Sequence, residues 1–382
     1  MTITHITLKN FKCFPALDFP CAPLTLLTGY NAGGKSTALQ GLLLLTQGLR
    51  EAPNSGLLPL NGSLVELGAG SDVIQHSSSS QILSFGAAGT HERATWHFEV
   101  DKDLSARGLM RLAAINYVRD SESVELPNDR ILPSQISQSD LVRSIRSTSF
   151  LGAGREMQLD AYPLPQSPAH ILGDVGSSGE YAPYWYLEFA DEEVNLERRH
   201  PTDSRETVRA QVDAWLNELF PGARANAQRL AVDAPIRLSF SLGPTSPWSK
   251  PANVGFGLSY AFPMLVTLLT AEQGATIVID SAESHLHPQA QSAVGRLLAQ
   301  MAGTGLQIMI ETHSDHLLNG VRLAVRDGLL QPKDTVIHFF NRMGEETPAT
   351  TLAIDEKGAI SDWPEGFFDQ TERDLATLSD WS

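Results

Sequence analysis

A chain of 382 residues with 42% hydrophobic side chains has room for one large or two modest domains with ample core. Its 44 acidic residues against 28 basic ones leave a formal charge of −16, the wrong sign for a surface that wraps nucleic acid unaided. There is no run of about eighteen apolar residues and no signal-peptide pattern, and Cys13 and Cys21 form no CxxC pair, so a reduced cytoplasmic setting without membrane contact is expected.

Ile3 to Leu8 alternates apolar and polar side chains, as a half-buried strand does, and Phe14 to Phe19 reads as the next strand. A small β layer therefore opens the chain. The stretch from Leu24 to Leu45 organises the rest of the molecule. Its apolar start ends in Gly29-Tyr30-Asn31-Ala32-Gly33-Gly34-Lys35-Ser36-Thr37 and then becomes Leu-rich, which reads as strand, phosphate loop and helix. Gly29 and Gly34 bracket four residues, with Lys35 and Ser36 behind them, the complete P-loop pattern. Backbone must approach phosphate closely here, in dihedrals that a Cβ forbids. The amides of the loop and the positive end of the helix face the phosphates, with Asn31, Gly33 and Thr37 in the contact set. Lys35 neutralises the β and γ phosphates of a nucleotide, and the Ser36 hydroxyl sits on Mg²⁺.

Ala38 to Leu49 continues as a buried helix, Asn61 to Gly70 is turn-rich, and Ile82 to Phe85 and Thr95 to Val100 read as strands. Asp72 and Gln75 could reach a nucleotide or be plain loop residues beside the Ser77 to Ser80 run. From Asp101 to Pro251 periodicity is poor and turn signals are dense, at Pro163, Pro165, Pro168, Gly173, Gly176 and Gly179. This reads as a mixed α/β elaboration within a nucleotide-binding fold, with one amphipathic helix from Ser204 to Leu219 and no heptad arm. The expected organisation is a first core half over 1–100, the insertion over 101–250 and a second core half over 251–382.

Asn253 to Tyr260 precedes an apolar helix over Ala261 to Leu269 and suits a backbone-and-hydroxyl phosphate contact, although a Ser before a helix is usually only an N-cap. Ala275 to Asp280 is a β-branched run ending in a carboxylate, a strand buried on both faces of a parallel sheet. Ligands of open α/β sheets bind at such strand ends, so Asp280 is a candidate Mg²⁺ ligand opposite Ser36. Glu283 and Ser284 to Pro288 come next, then a helix near Gln289. Leu306 to Glu311 is a second such strand, and His313 behind it could sense a γ-phosphate or be a polar residue closing a loop. His285 and His287 lack the Cys or carboxylate framework of a zinc site. The tail adds a strand over Ile337 to Phe340 and an acidic end containing Trp363.

With these blocks in order, the chain resembles the ABC-type, SMC-like AAA ATPases, the group holding RecF-like repair proteins and the OLD (overcoming lysogenization defect) proteins. It is most similar to stand-alone prokaryotic members with a C-terminal domain of unknown function 3696. The carrying residues are Lys9 to Phe14, the P-loop, Gly255-Phe256-Gly257-Leu258-Ser259, Glu283 to Pro288 and Glu311 to His316; Gly154-Arg155 and Gly176 to Tyr181 match more loosely. The resemblance implies an α/β P-loop NTPase with an ABC-type core: a mixed or parallel sheet flanked by helices, an N-terminal antiparallel β layer and an α/β insertion. It also implies a homodimer, with any higher oligomer left open, in which Gly257 and Ser259 of one subunit cap the ATP on the P-loop of the other. Asp280 takes the Walker B place, His313 the switch-histidine place and Leu286-His287 the D-loop place, and Lys12 approaches the phosphates.

One residue departs from the family pattern. Many relatives have a glutamate directly after the Walker B aspartate, where this chain has Ser281, so Glu283 becomes the candidate catalytic glutamate. The implied function is ATP hydrolysis driving a dimeric switch, with relatives serving in prokaryotic defence against phages or plasmids beside a separately encoded effector such as a nuclease. The segment after His313 has no acidic cluster resembling a Toprim nuclease domain, which suits that division of labour, and nucleic acid would be met through the complex. Two alternatives stand beside this reading. One is an ATP-binding scaffold with little or no turnover, favoured by Ser281; the other is a RecF-like DNA-repair ATPase touching phosphates through Arg143, Arg146 and Arg155.

Overall fold

The computed structural model describes residues 2–155, 159–165, 172–229, 231, 234–341 and 349–379; Pro168 of the turn-rich stretch lies outside them. The chain opens with a hairpin, β1 (His5–Phe11) and β2 (Phe14–Pro20), whose Ile6, Leu8, Leu17 and Phe19 face inward at alternate positions. β3 (Leu24–Gly29) runs through the P-loop into α1 (Lys35–Glu51). Then come β4 (Leu57–Pro59), a single turn α2 (Gly70–Val73), β5 (Ile82–Ala88), β6 (Glu92–Glu99), a second single turn α3 (Lys102–Ser105), β7 (Leu109–Arg119) and β8 (Glu122–Val124). Strands β2, β1, β5, β6, β7 and β4 form one antiparallel sheet in that order, with β8 paired to β7.

The expected boundary at residue 101 cuts through this sheet, since β7 pairs along its length with β6. A bulge hides the strand in the sequence. Opposite His97 and Phe98 the register slips past Ala113, so the buried positions change phase from Met110 and Leu112 to Ile115 and Tyr117.

The remaining elements build the second sheet and its cover. In order they are α4 (Asp140–Arg146), β9 (Ser149–Leu151), α5 (Ala182–Glu188), α6 (Val208–Leu219), β10 (Arg224–Arg229), β11 (Ile236–Ser241), α7 (Phe256–Thr270), β12 (Thr276–Asp280), α8 (Pro288–Gly303), β13 (Gln307–Glu311), α9 (Asp315–Arg326), β14 (Thr335–Phe340), β15 (Ala349–Leu352) and α10 (Gln370–Leu378). The sheet order is β15-β14-β3-β13-β12-β9, parallel throughout except for the edge strand β15. The helix expected from Ser204 starts instead at Val208, capped by the Thr207 hydroxyl.

Alternate residues of the parallel strands face two cores. Leu24, Leu26, Ile277, Ile279, Ile308 and Ile310 join side chains of α6 to α9, while Leu27, Val278, Met309 and Phe340 join α1 and the antiparallel sheet. The hairpin β10–β11 and helices α5 and α6 share the first of these cores, with Tyr186 and Phe240 edge-on to Phe262 and Trp215 of α6 in the same cluster. The elaboration is thus packed onto the core. No helix among the described residues is long and apolar enough to cross a membrane.

Parallel register puts Asp280 beside Glu311 and Glu311 beside Leu27, so the C-terminal ends of β12, β13 and β3 meet at the mouth of the P-loop.

A buried carboxylate ties the antiparallel sheet to α4. Glu92 accepts hydrogen bonds from the Tyr117 hydroxyl (2.7 Å), Arg119 (2.6 Å), the Ser139 hydroxyl (2.7 Å) and the Leu141 N–H (2.9 Å). Burial alone would push this carboxyl up; the Leu141, Tyr117, Ser139 and Arg119 donors together hold it at about 2. Glu92→Gln should cost about 2–3 kcal/mol in urea unfolding at pH 7. A depressed folded pKa stabilises above the unfolded value of 4.5 and loses that contribution as pH falls toward 2. The gap between parent and variant should therefore narrow over that interval, and an equal gap at pH 7 and at about pH 3 would contradict the assignment.

Candidate functional site

The P-loop is wedged between two elements that leave no room for side chains. Gly29 has φ +128°, and a Cβ there would lie 2.1 Å from the Phe340 carbonyl oxygen of β14. Gly34 has φ +105°, and its Cβ would lie 2.6 Å from the Phe14 ring. Behind the loop, Lys35 is buried and donates to the carbonyls of Gly29 (3.1 Å) and Tyr30 (2.9 Å), with the Glu311 carboxylate at 3.8 Å. Burial lowers its pKa, and Glu311, Asp280 and Glu283 pull it back up. Asn31 and Ser36 are exposed at the rim and Thr37 is half-buried.

Carboxylates and one histidine complete the cluster. Ser36 Oγ donates to Glu311 Oε1 at 3.1 Å, while Oε2 of this 6%-exposed side chain has no hydrogen-bond partner. Burial and the neighbouring Asp280 raise the Glu311 pKa against the pull of Ser36 and Lys35. Asp280 accepts from the Ser281 hydroxyl at 2.9 Å. Glu283 is held at both oxygens: the His313 N–H donates to one (2.7 Å) and the Thr312 hydroxyl to the other (2.9 Å). Burial and Lys35 lower the pKa of His313, opposed by Glu283 and Asp280, which favours a neutral imidazole at pH 7.

The structure thus brings Lys35, Ser36, Asp280, Glu283 and His313 together and adds Glu311, which sequence reasoning leaves unassigned. The signal is present, since Glu311 ends a buried strand as Asp280 does. Among the described residues no three His, Cys, Asp or Glu side chains converge closely enough to hold a metal by themselves. The oxygen set of Ser36, Asp280 and the unpartnered Glu311 Oε2 fits Mg²⁺ bound jointly with phosphate oxygens, as that ion prefers.

Other expected residues lie elsewhere. Lys12 donates to Gln40 on α1 at 2.7 Å and lies over the Phe11 ring, beside the Phe14 that touches the loop. Asp72 closes the turn of α2 by accepting from the Ala69 N–H, and Gln75 bonds Ser77. His287 caps α8, and Leu286 is buried.

Gly257 and Ser259 require a correction. The helix expected from Ala261 begins at Phe256, so both residues fall inside its first turns. Ser259 is 1% exposed, and a Cβ on Gly257 would lie 2.6 Å from the His285 carbonyl oxygen. The hydroxyl is therefore not displayed to a partner in this conformation. The exposed lip is instead Gly255, the N-cap, and Phe256, which is 52% exposed and stacked on His285 at 5.2 Å.

The arginines weighed as phosphate contacts are divided between α4, which carries Arg143 and Arg146, and the interior, where Arg155 lies. Arg143 pairs with Asp140 on the surface, whereas Arg155 is buried and donates to the Asp280 carbonyl at 2.8 Å. Burial brings the Arg155 pKa down to about 10, so it stays charged at neutral pH.

Comparison with known proteins agrees with this geometry. Residues 181–319 match a family profile described as an AAA domain, whose description adds the AbiEii toxin and a type IV TA system. Residues 330–378 match one described as a protein of unknown function, DUF3696. The OLD nuclease of Thermus scotoductus is 23% identical over 344 residues, which is 82% of this chain, and the chain spans 59% of that relative's length. The SmcHead bound to the C-winged helix domain of ScpA aligns with TM-score 0.56 at 11% identity, over 93% of this chain and 99% of that one. An Smc head domain with an extended coiled coil, bound to the C-terminal domain of ScpA from Pyrococcus furiosus, aligns with TM-score 0.53 at 10% identity over 99% of each. The chain therefore has the ABC-type P-loop fold of SMC heads. Beyond the fold, its similarity is to AAA domains over residues 181–319, to DUF3696 proteins over 330–378 and to an OLD nuclease over most of its length.

The wedge around the P-loop is open to test. Gly34→Ala should destabilise the protein by about 1–3 kcal/mol and weaken binding of a fluorescent ATP analogue by about tenfold or more. Phe14→Leu added to it should recover part of the stability, because it relieves the clash and leaves the positive φ. Unchanged binding by the single variant would show that the loop does not carry the nucleotide.

Proposed function

We propose that the chain binds ATP with Mg²⁺ at this site and hydrolyses it as a homodimer, a nucleotide-driven switch that works in the cytoplasm with a separately encoded effector. The observation that carries this reading is the meeting of Lys35, Ser36, Asp280, Glu311, Glu283 and His313 around the ends of three adjacent parallel strands. Lys35 exchanges its two carbonyl acceptors for phosphate oxygens, aided by the amides of the loop and of the first turn of α1. Ser36, Asp280 and Glu311 would hold Mg²⁺, which would supply charge neutralisation to the phosphates.

Glu283 uses two of about four lone-pair directions on the Thr312 and His313 donors, so acceptor capacity remains for a water. Water attacks the γ-phosphorus, the bond to the β-phosphate oxygen breaks, and the water proton passes to Glu283, leaving ADP and phosphate. Neutral His313 offers one hydrogen bond to the γ-phosphate. The exposed Gly255–Phe256 lip of each subunit closes over the nucleotide of the other through backbone and aromatic surface, in place of the buried Ser259.

Relatedness to a nuclease and to toxin-type AAA domains supports a role in defence against phages or plasmids. Nucleic acid would be engaged by the assembled complex. A second reading, an ATP-binding scaffold with little turnover, is favoured by Ser281. This residue has φ +53°, and its hydroxyl is spent on Asp280, so it cannot orient a water as a glutamate would.

Steady-state ATP hydrolysis with Mg²⁺, measured alongside light scattering, separates the two. The switch reading expects turnover by the parent and none by Lys35→Ala. It also expects Glu283→Gln to lose about 10²–10⁴-fold in rate and to accumulate a nucleotide-bound dimer. A parent that binds ATP and assembles without turnover, unaffected by Glu283→Gln, establishes the scaffold.

A further inference from the structure

Arg155 is 3% exposed, and among the described residues it donates to three main-chain carbonyls: Gly152 beyond β9 (3.0 Å), Asp280 at the end of β12 (2.8 Å) and Tyr260 in α7 (3.4 Å). Burying a guanidinium on carbonyl acceptors is an expensive way to join three segments, because the cation loses its hydration and, among the described residues, no carboxylate pairs with it directly. Apolar packing would join them at lower cost if joining were all that mattered. What the guanidinium adds is a rigid planar fork whose arms reach two particular places. One arm sits on the carbonyl of the metal-binding aspartate. Another sits on the helix whose first turn makes the exposed lip.

The connection continues to the surface through rings. The guanidinium lies 5.5 Å above the Tyr260 ring, Tyr260 packs edge-on against His285 at 4.6 Å, and His285 stacks on Phe256 at 5.2 Å. The His285 carbonyl also fills the space beside Gly257, so the loop after β12 and the start of α7 interlock.

We propose that Arg155 is a positioning residue that couples the nucleotide site to the Gly255–Phe256 lip, so that the state of Asp280 governs whether the lip is set for a second copy of this chain. The inference rests on the reading of the protein as a nucleotide-driven dimer. Coupling of this kind is reciprocal: nucleotide strengthens assembly, and assembly strengthens nucleotide binding by the same factor. Arg155 touches neither phosphate nor partner, and its loss acts on the coupling.

The test uses the full chain with Mg²⁺ and a fluorescent ATP analogue. It compares the parent with Arg155→Lys, Phe256→Ala, His285→Ala and the Arg155→Lys/Phe256→Ala pair. Affinity is read at protein concentrations below assembly, and dimerisation is read by sedimentation. Arg155→Lys keeps the charge but lacks the fork. It should leave monomer affinity within about threefold and raise the concentration needed for nucleotide-driven dimerisation about tenfold, inside the usual 5–150-fold range of such couplings.

Phe256→Ala should raise that concentration similarly, and the double variant should be no worse than the worse single one, since both act in one chain of contacts. His285→Ala, at an exposed position, removes the ring between Tyr260 and Phe256 and should reproduce the assembly loss even where Arg155→Lys fails to fold. Assembly by Arg155→Lys or His285→Ala equal to that of the parent overturns the proposal. So do multiplicative effects in the double variant, or a fall in monomer affinity that tracks a fall in Tm. A parent that binds no nucleotide, or binds it as well after Lys35→Ala, overturns the underlying site reading instead. A parent that binds nucleotide without assembling removes the dimer and this inference together.

Discussion

The parallel register of β12, β13 and β3 governs the chemistry of this molecule. It places Asp280 beside Glu311 and Glu311 beside Leu27, two residues before the P-loop glycine. Glu283 is latched to the same corner through Thr312 and His313. Three carboxylates therefore share a half-buried corner with one buried lysine. The raised pKa of Glu311 and the lowered pKa of Lys35 have one origin, burial of charge that the cluster does not balance internally. A divalent cation carrying phosphates changes that balance on both sides, adding positive charge beside the acids and negative charge beside the lysine. On the proposed reading, cation and nucleotide would stabilise the site together.

The two-core architecture holds that corner in place. The parallel sheet is buried on both faces, so a shift of any central strand would disturb α6 to α9 on one side and α1 with the antiparallel sheet on the other. The loop is further confined by Phe340 and Phe14, which come from opposite ends of the chain and meet at Gly29 and Gly34. This explains why the first β hairpin and the last parallel strand belong to one site although more than 300 residues separate them. Gln307 reinforces the arrangement by exchanging hydrogen bonds with the Ile3 backbone, 2.8 Å from its N–H and 2.6 Å to its carbonyl.

Whatever is written locally is legible in the sequence. The P-loop, the strand ending in Asp280 and the strand before His313 each carry their chemistry within about ten residues, and their order implies the ABC-type core. Features set by tertiary contacts are harder to read. The bulge at Ala113 breaks the alternation of β7 and moves the first lobe's boundary beyond residue 101. The apolar run from Ala261 suggests a helix start there, whereas α7 begins at Phe256 and takes in Gly257 and Ser259, with Pro263 inside it. Arg155 looks like a surface cation because nothing adjacent in sequence reveals that carbonyls from two distant segments, Tyr260 and Asp280, close around it beside that of Gly152.

At Ser281 the register, the turn and the chemistry meet. Its left-handed backbone lets the chain turn immediately after β12, while its N–H donates to the Glu311 carbonyl at 3.0 Å and its hydroxyl to Asp280. That turn carries Glu283 to the end of β13, where it meets Thr312 and His313. The same local geometry that removes a carboxylate from the position directly after Asp280 thus delivers one from two residues further on. A carboxylate held at one oxygen by the Thr312 hydroxyl and at the other by the His313 N–H is fixed in orientation before any substrate arrives.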